Sequence, residues 1–303
     1  MGVIRHDTAE IACNSRLTRK RRTSDGEIMT GRYVALGSSM AAGAGLAPRA
    51  SGTPFLAFRS AHNYPHLLAE SLGLDLVDVT YAGATTANVL YEKQNGTPPQ
   101  ITVLNGSESL ITATIGDSDV GYVPLLTSAY LPHPMRSMPI IGGRLRDLHD
   151  GDARNRALAK VAEALIEVGS TLRQLAPEAR IFFIDCLTLL PDRGFDAPPL
   201  SRSDVDLGRH VAETLERHTA EAAAETGCEI VRAGAASRSH HAWSSDPWTT
   251  KGAVPLPGRP FPFHPNAPGL RAVADLVVAQ VCKPAPSWAR QSGPAYDVRM
   301  TSP

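Results

Sequence analysis

Four short stretches carry side chains that could share one reaction. Gly37-Ser38-Ser39-Met40-Ala41-Ala42-Gly43 offers two adjacent hydroxyls in a turn of small residues. Tyr81-Ala82-Gly83-Ala84-Thr85-Thr86 offers a glycine whose backbone amide a ligand can approach closely. Gly116-Asp117-Ser118-Asp119 adds a third polar turn, and Phe263-His264-Pro265-Asn266 adds a histidine. A serine hydroxyl is a weak nucleophile until a base takes its proton, and histidine suits that task near neutral pH. The negative oxygen that develops on an attacked acyl carbon needs donors already aimed at it. Serine, histidine and amides freed by small residues therefore point to acyl transfer. Either Ser38 or Ser39 could attack, and His264 would be the base.

These groups can cooperate only if the fold gathers them. Five apolar runs read as strands: Tyr33–Leu36, Leu76–Thr80, Leu110–Ile115, Ile181–Asp185 and Glu229–Arg232. They are near-continuous in Val, Ile, Leu and Phe, as parallel strands covered on both faces are. Helical periodicity runs through His62–Leu72, Ala153–Leu175, Asp204–Thr226 and Pro268–Val281. The clearest stripe is Leu158, Val161, Leu165, Val168, Leu172 and Leu175, with Pro177 just beyond. Alternating strands and helices predict an α/β layer architecture with a mainly parallel sheet. Ligands of such sheets bind beyond the carboxyl ends of the strands. Three of the four stretches directly follow a strand, and the fourth precedes the last helix. The irregular segments Gly121–Asp152 and Ala233–Phe263 read as long functional loops.

Lys+Arg 30 against Asp+Glu 30 gives a formal net charge of zero, which offers no argument for nucleic acid as a partner. No apolar run reaches the roughly 18 residues of a membrane span. The expected organisation is a tail over residues 1–29, one domain over 30–282, and a second tail over 283–303. The basic run Arg16–Arg22 reads as solvated tail, and Met29 is an alternative start. Cys13, Cys186, Cys228 and Cys282 are widely spaced without a zinc pattern, which reads as free thiols in a reducing, cytoplasmic setting.

YVALGSSMAAGAGL resembles the first block of the GDSL/SGNH serine hydrolases, with Ser39 at the nucleophile position. NYPHLLAESLGLDLVDVTYAGATTANVL is similar to the second block, with Gly83 at its oxyanion glycine. LITATIGDSDVGY resembles the third block, usually GxND. FHPNAPGLRAVADLV resembles the fifth, with His264 as the catalytic histidine. The resemblance runs from about Arg32 to Val281. It implies a three-layer α/β/α sandwich of the flavodoxin-like kind with a five-stranded, mainly parallel sheet. It also implies hydrolysis of small-molecule carboxylic esters, with neither metal nor cofactor. The amides of Ser39 and Gly83 would hold the oxyanion.

Three positions depart from that family pattern. Ser38 replaces the aspartate of the first block. Ser118 replaces the asparagine of the third, which weakens the oxyanion hole. Phe261 replaces the aspartate three residues before the histidine. The resemblance therefore implies a Ser–His dyad whose imidazole is oriented by the carbonyl of Phe261 or a neighbour, with Asp246 as a substitute. The same losses motivate an alternative, a degenerate relative that binds a ligand or partner in its cleft.

The remaining signals read blandly. His62 and His66 are four apart but lack a third metal ligand, so an exposed helix face is expected. His240-His241 reads as solvated loop, and Asp117 and Asp119 as solvated or capping carboxylates. The glycines around Gly43 lack phosphate-cradle spacing. Of Trp243, Trp248, Phe261 and Phe263, at least some are expected to form the wall of an acyl pocket and the rest core.

Overall fold

The computed structural model describes residues 31–130, 146–252 and 254–283. The two expected tails apart from Lys283, the basic run, Met29 and Cys13 lie outside them. The elements run β1 (Arg32–Gly37), α1 (Ser39–Ala42), α2 (Tyr64–Leu72), β2 (Asp75–Asp78), α3 (Thr86–Leu90) and β3 (Glu108–Thr114). They continue with α4 (Tyr122–Ser128), α5 (Gly151–Leu175), β4 (Arg180–Ile184), α6 (Arg202–Glu225), β5 (Glu229–Val231), α7 (Ala233–Ala236) and α8 (Ala267–Val281). All strand pairs are parallel, in the five-stranded order β2-β1-β3-β4-β5.

The two-residue period of the strands divides the core into two layers. Val34 and Leu36 of β1, Ile111 and Ala113 of β3, and Ile181 and Phe183 of β4 face one side. There they pack on Leu158, Val161, Leu165 and Leu172 of α5 and Val211 and Leu215 of α6. Tyr33, Ala35, Leu110, Phe182 and Ile184 face the other side. They meet Leu67 and Leu68 of α2 and Leu270, Val273 and Val277 of α8. Helices thus cover both faces, which is the three-layer sandwich expected. α5 and α6 begin at side-chain caps, Asp150 and Ser201. Gly169 of α5 meets Thr226 so closely that a Cβ would not fit, which brings α5 against the end of α6.

Two expectations change. Tyr122–Ser128 and Ala233–Ala236 are helices inside the stretches read as irregular. Each is only one or two turns long, too short for a 3.6-residue period to register. The thiols also differ. Cys186 and Cys228 are free, but Cys282 is disulfide-bonded. Pairing depends on distance in the fold, which sequence spacing does not carry. The expectation of four free thiols is thus corrected at Cys282.

Candidate active site

The site is built where β1, β2 and β3 end. Gly37 closes β1 at φ 141°, and a Cβ there would collide with the Thr114 carbonyl. Its backbone is held from both sides by Gln100, whose Oε1 accepts from Gly37 N–H at 2.7 Å while Nε2 donates to Gly37 O at 3.0 Å. The chain then enters α1, with Ser38 as N-cap and Ser39 as first helical residue. Gly43 ends that helix in a left-handed conformation. An N–H at the start of a helix has no intrahelical acceptor. Among the described residues the Ser39 amide has no partner, and neither has that of Gly83, which sits at φ 74° in the turn after β2.

Two carboxylates, Asp117 buried and Asp119 half-buried, bind the three turns together. Ser38 Oγ donates to Asp117 Oδ1 at 2.6 Å, joining the β1 turn to the β3 turn. Asp119 accepts from the Thr86 N–H at 3.1 Å and from its hydroxyl at 2.6 Å, joining the β3 turn to α3. Against the expectation of solvated or capping carboxylates, Asp117 is 2% exposed and Asp119 is half-buried on Thr86. Burial pushes the Asp117 carboxyl up to about 6, against the pull of the Ser38 hydrogen bond. Burial raises Asp119 as well. The Ser38 hydroxyl thus engages Asp117, whereas the histidine lies on Ser39. Ser118 sits half-buried between them, and its carbonyl accepts from Gly121 N–H at 3.2 Å.

His264 arrives from the opposite end of the chain, 225 residues away, and its Nε2 lies 2.8 Å from Ser39 Oγ. Asn266 caps α8 by accepting from Gly269 N–H at 2.9 Å, and its amide donates to the Pro247 carbonyl at 2.6 Å. Thr250 fastens the other flank, its N–H to His264 O at 2.9 Å and its hydroxyl to Phe261 O at 2.6 Å. Phe263, fully buried at φ 59°, supplies the left-handed turn between these anchors, a conformation costly for a residue with a Cβ.

The orienting carbonyl is that of Pro262, 2.8 Å from His264 Nδ1, not that of Phe261. Phe261 O is already occupied by the Thr250 hydroxyl and by His264 N–H at 3.1 Å. A carbonyl acceptor fixes Nδ1 as the protonated nitrogen and leaves the Nε2 lone pair facing Ser39. Asp246 is no substitute: its carboxylate is exposed and faces His240 at 3.3 Å. Ser39 and His264 are each 6% exposed. Burial without a carboxylate partner pushes the imidazole down to about 4, the Pro262 carbonyl pulling weakly the other way.

The four aromatics expected as acyl wall or core separate. Phe261 meets the His264 ring edge-on at 5.9 Å and Phe58 at 4.9 Å. Phe263 packs into the core against Tyr130 and Trp243, and Trp248 stacks on His240. His66 is not on a freely exposed face either; its ring lies 2.7 Å from Asn63 Oδ1 and 3.5 Å from Asp78. Among the described residues no group of three or more His, Cys, Asp or Glu could hold a metal.

A cavity of about 480 Å3 opens beside the end of β4 and α6, walled partly by Leu187, Leu215, Asp185 and Arg238. Neither Ser39 nor His264 lines it, so volume and chemistry part company, and the chemistry is the better guide. Asp185 accepts from Gly234 N–H at 2.7 Å, but its second oxygen is buried without a partner. Burial pushes this carboxyl up to about 7. A raised carboxyl binds its proton more tightly folded than unfolded, so its contribution is full below about pH 4 and is lost as pH rises through about 7. Asp185→Asn is therefore expected to raise Tm at pH 8 by roughly 2–4 °C, about 1 kcal/mol for a domain of this size. The gain should shrink as pH falls below about 7 and vanish only near pH 4, and an equal gain at pH 8 and pH 5 would refute the buried charge.

The chain matches the GDSL-like lipase/acylhydrolase family over residues 35–272. It belongs to that family. It is 31% identical to lipase 2 of Streptomyces coelicolor over 249 residues, 80% of this chain and 83% of the relative. The crystal structure of phospholipase A1 from Streptomyces albidoflavus superposes with a TM-score of 0.64 at 25% identity, covering 84% of this chain and 100% of that one. An extracellular lipase from Streptomyces rimosus superposes with a TM-score of 0.67 at 24% identity, with the same coverage. As a GDSL-like acylhydrolase, the chain is a carboxylic ester hydrolase acting on small-molecule esters. None of its described helices is long and apolar enough to cross a membrane.

Proposed function

We propose that this GDSL-family hydrolase cleaves carboxylic esters through a Ser39–His264 dyad with a weakened oxyanion hole. The observation that carries the proposal is the 2.8 Å contact between Ser39 Oγ and His264 Nε2, with Nδ1 held on the Pro262 carbonyl. His264 accepts the hydroxyl proton as Ser39 attacks the acyl carbon, then delivers it to the leaving alcohol. The Ser39 and Gly83 amides receive the oxyanion, and Ser118 assists with a short hydroxyl where the family has an amide. A water deprotonated by His264 then releases the acid and restores the serine. The names of the relatives, lipase and phospholipase A1, favour fatty acyl esters. A cleft protein without catalysis is disfavoured, because it has no need of a histidine locked in this tautomer against a serine.

Hydrolysis of p-nitrophenyl esters from acetate to decanoate tests the proposal, with saturable turnover expected. No turnover above a heat-denatured control at any chain length would remove it. The pH profile gives a second test. The base must be neutral to act, and His264 is neutral above about pH 4. The acid limb of kcat/KM should therefore lie near pH 4, with most activity retained at pH 5.5. A limb near 6.5, the ordinary histidine value, would contradict the buried, carboxylate-free imidazole.

A further inference from the structure

Four large apolar side chains stand out in solvent beside this site: Phe55 (70% exposed), Leu56 (46%), Val254 (68%) and Leu256 (51%). They come from two loops far apart in sequence that are fastened to one another. Ala47 N–H donates to Gly258 O at 3.3 Å, and Phe261 N–H donates to Ala44 O at 2.9 Å. An unbroken aromatic path links the patch to the reaction centre: Phe55 meets Phe58 at 5.8 Å, Phe58 meets Phe261 at 4.9 Å, and Phe261 meets His264 at 5.9 Å. Pro54, Pro255, Pro257 and Pro260 fix φ through both loops, so these side chains are held outward at little entropic cost. Clustered exposure of this kind marks an interaction surface rather than ordinary scatter.

The charge carried by these two loops is one-sided. Residues 44–63 and 247–266 contain no aspartate or glutamate. Arg49, Lys251 and Arg259 are exposed within them, and the Arg49 guanidinium lies 5.1 Å above the Phe55 ring. Exposed apolar side chains on two loops that carry cations and no carboxylate match an anionic phospholipid surface, where the apolar groups enter the acyl boundary and the cations meet phosphates.

Building on the proposed ester chemistry, we infer that the Phe55–Leu56 and Val254–Leu256 loops dock the enzyme on anionic phospholipid surfaces. The docked surface lies against the Ser39–His264 site, so an ester leaving the lipid layer travels along the aromatic path rather than through water.

Vesicle flotation of the full chain carrying Ser39→Ala tests docking without consuming lipid. Phosphatidylglycerol vesicles should carry the protein on the order of tenfold better than phosphatidylcholine vesicles at low salt. Phe55→Ser with Leu256→Ser should lower that binding on the order of tenfold or more, with Tm unchanged because both positions are exposed. Leu256→Ser alone provides the same reading should the pair fail to fold. Arg49→Glu with Arg259→Glu should remove the preference for phosphatidylglycerol. No flotation, or flotation indifferent to these substitutions, overturns the inference. So does a dimer in sedimentation velocity that Phe55→Ser dissociates, which would assign the patch to a second copy. Lost flotation with p-nitrophenyl ester turnover intact rejects docking alone; intact flotation without turnover rejects the dyad alone.

Discussion

Ser39→Ala is expected to slow p-nitrophenyl ester turnover on the order of 10⁴-fold, and His264→Ala to do nearly the same. The two side chains form one device, since the hydroxyl is not a nucleophile without the base and the base has nothing to activate without the hydroxyl. The double variant should therefore be no slower than either single variant. The expected loss is below that of a full triad, because no carboxylate stabilises the imidazolium here: Nδ1 meets only the Pro262 carbonyl. Folding should survive Ser39→Ala. His264 is neutral at working pH and keeps its Pro262 and Thr250 contacts. Additive losses would show that the residues act separately.

The second large effect is a gain. Ser118→Asn should raise kcat by roughly 10–100-fold, since one oxyanion donor is worth about 10²–10³ in kcat and a transplanted amide recovers only part of that. The surrounding frame is already in place. Asp117 on one side is fixed to Ser38, and Asp119 on the other is fixed to Thr86. Position 118 is thus carried on a tethered turn. KM should change little, because the donor acts on charge that develops only in the transition state. A kcat no higher than wild type, with the fold retained, would mean that position 118 does not reach the oxyanion.

Much of this frame is legible in the sequence, and the reason is periodicity. The five strands are short, apolar on both faces and bounded by turns, so β1 to β5 differ from the expected runs by only a residue or two at most ends. α5 shows its stripe because it spans 25 residues. Ser39 and His264 come together because each follows a recognisable block at the same edge of a parallel sheet. What escapes is whatever depends on contacts between distant positions. Nothing about Asp117 in sequence reveals that its partner is Ser38, 79 residues away, or that both are buried. Gln100, which clamps Gly37, opens a single 3-10 turn, Gln100–Val103, too short to show a period. The choice of Pro262 over Phe261 turns on the left-handed Phe263, and the backbone conformation of a non-glycine residue is not written in its type.

The most direct measurement is reaction of folded protein with a fluorophosphonate, followed by peptide mass mapping. A phosphonyl adduct on Ser39, absent from the His264→Ala protein and blocked by prior incubation with an ester substrate, is the expected result. An adduct on Ser38, or none on protein that hydrolyses esters, would contradict a nucleophile activated by the 2.8 Å contact with His264.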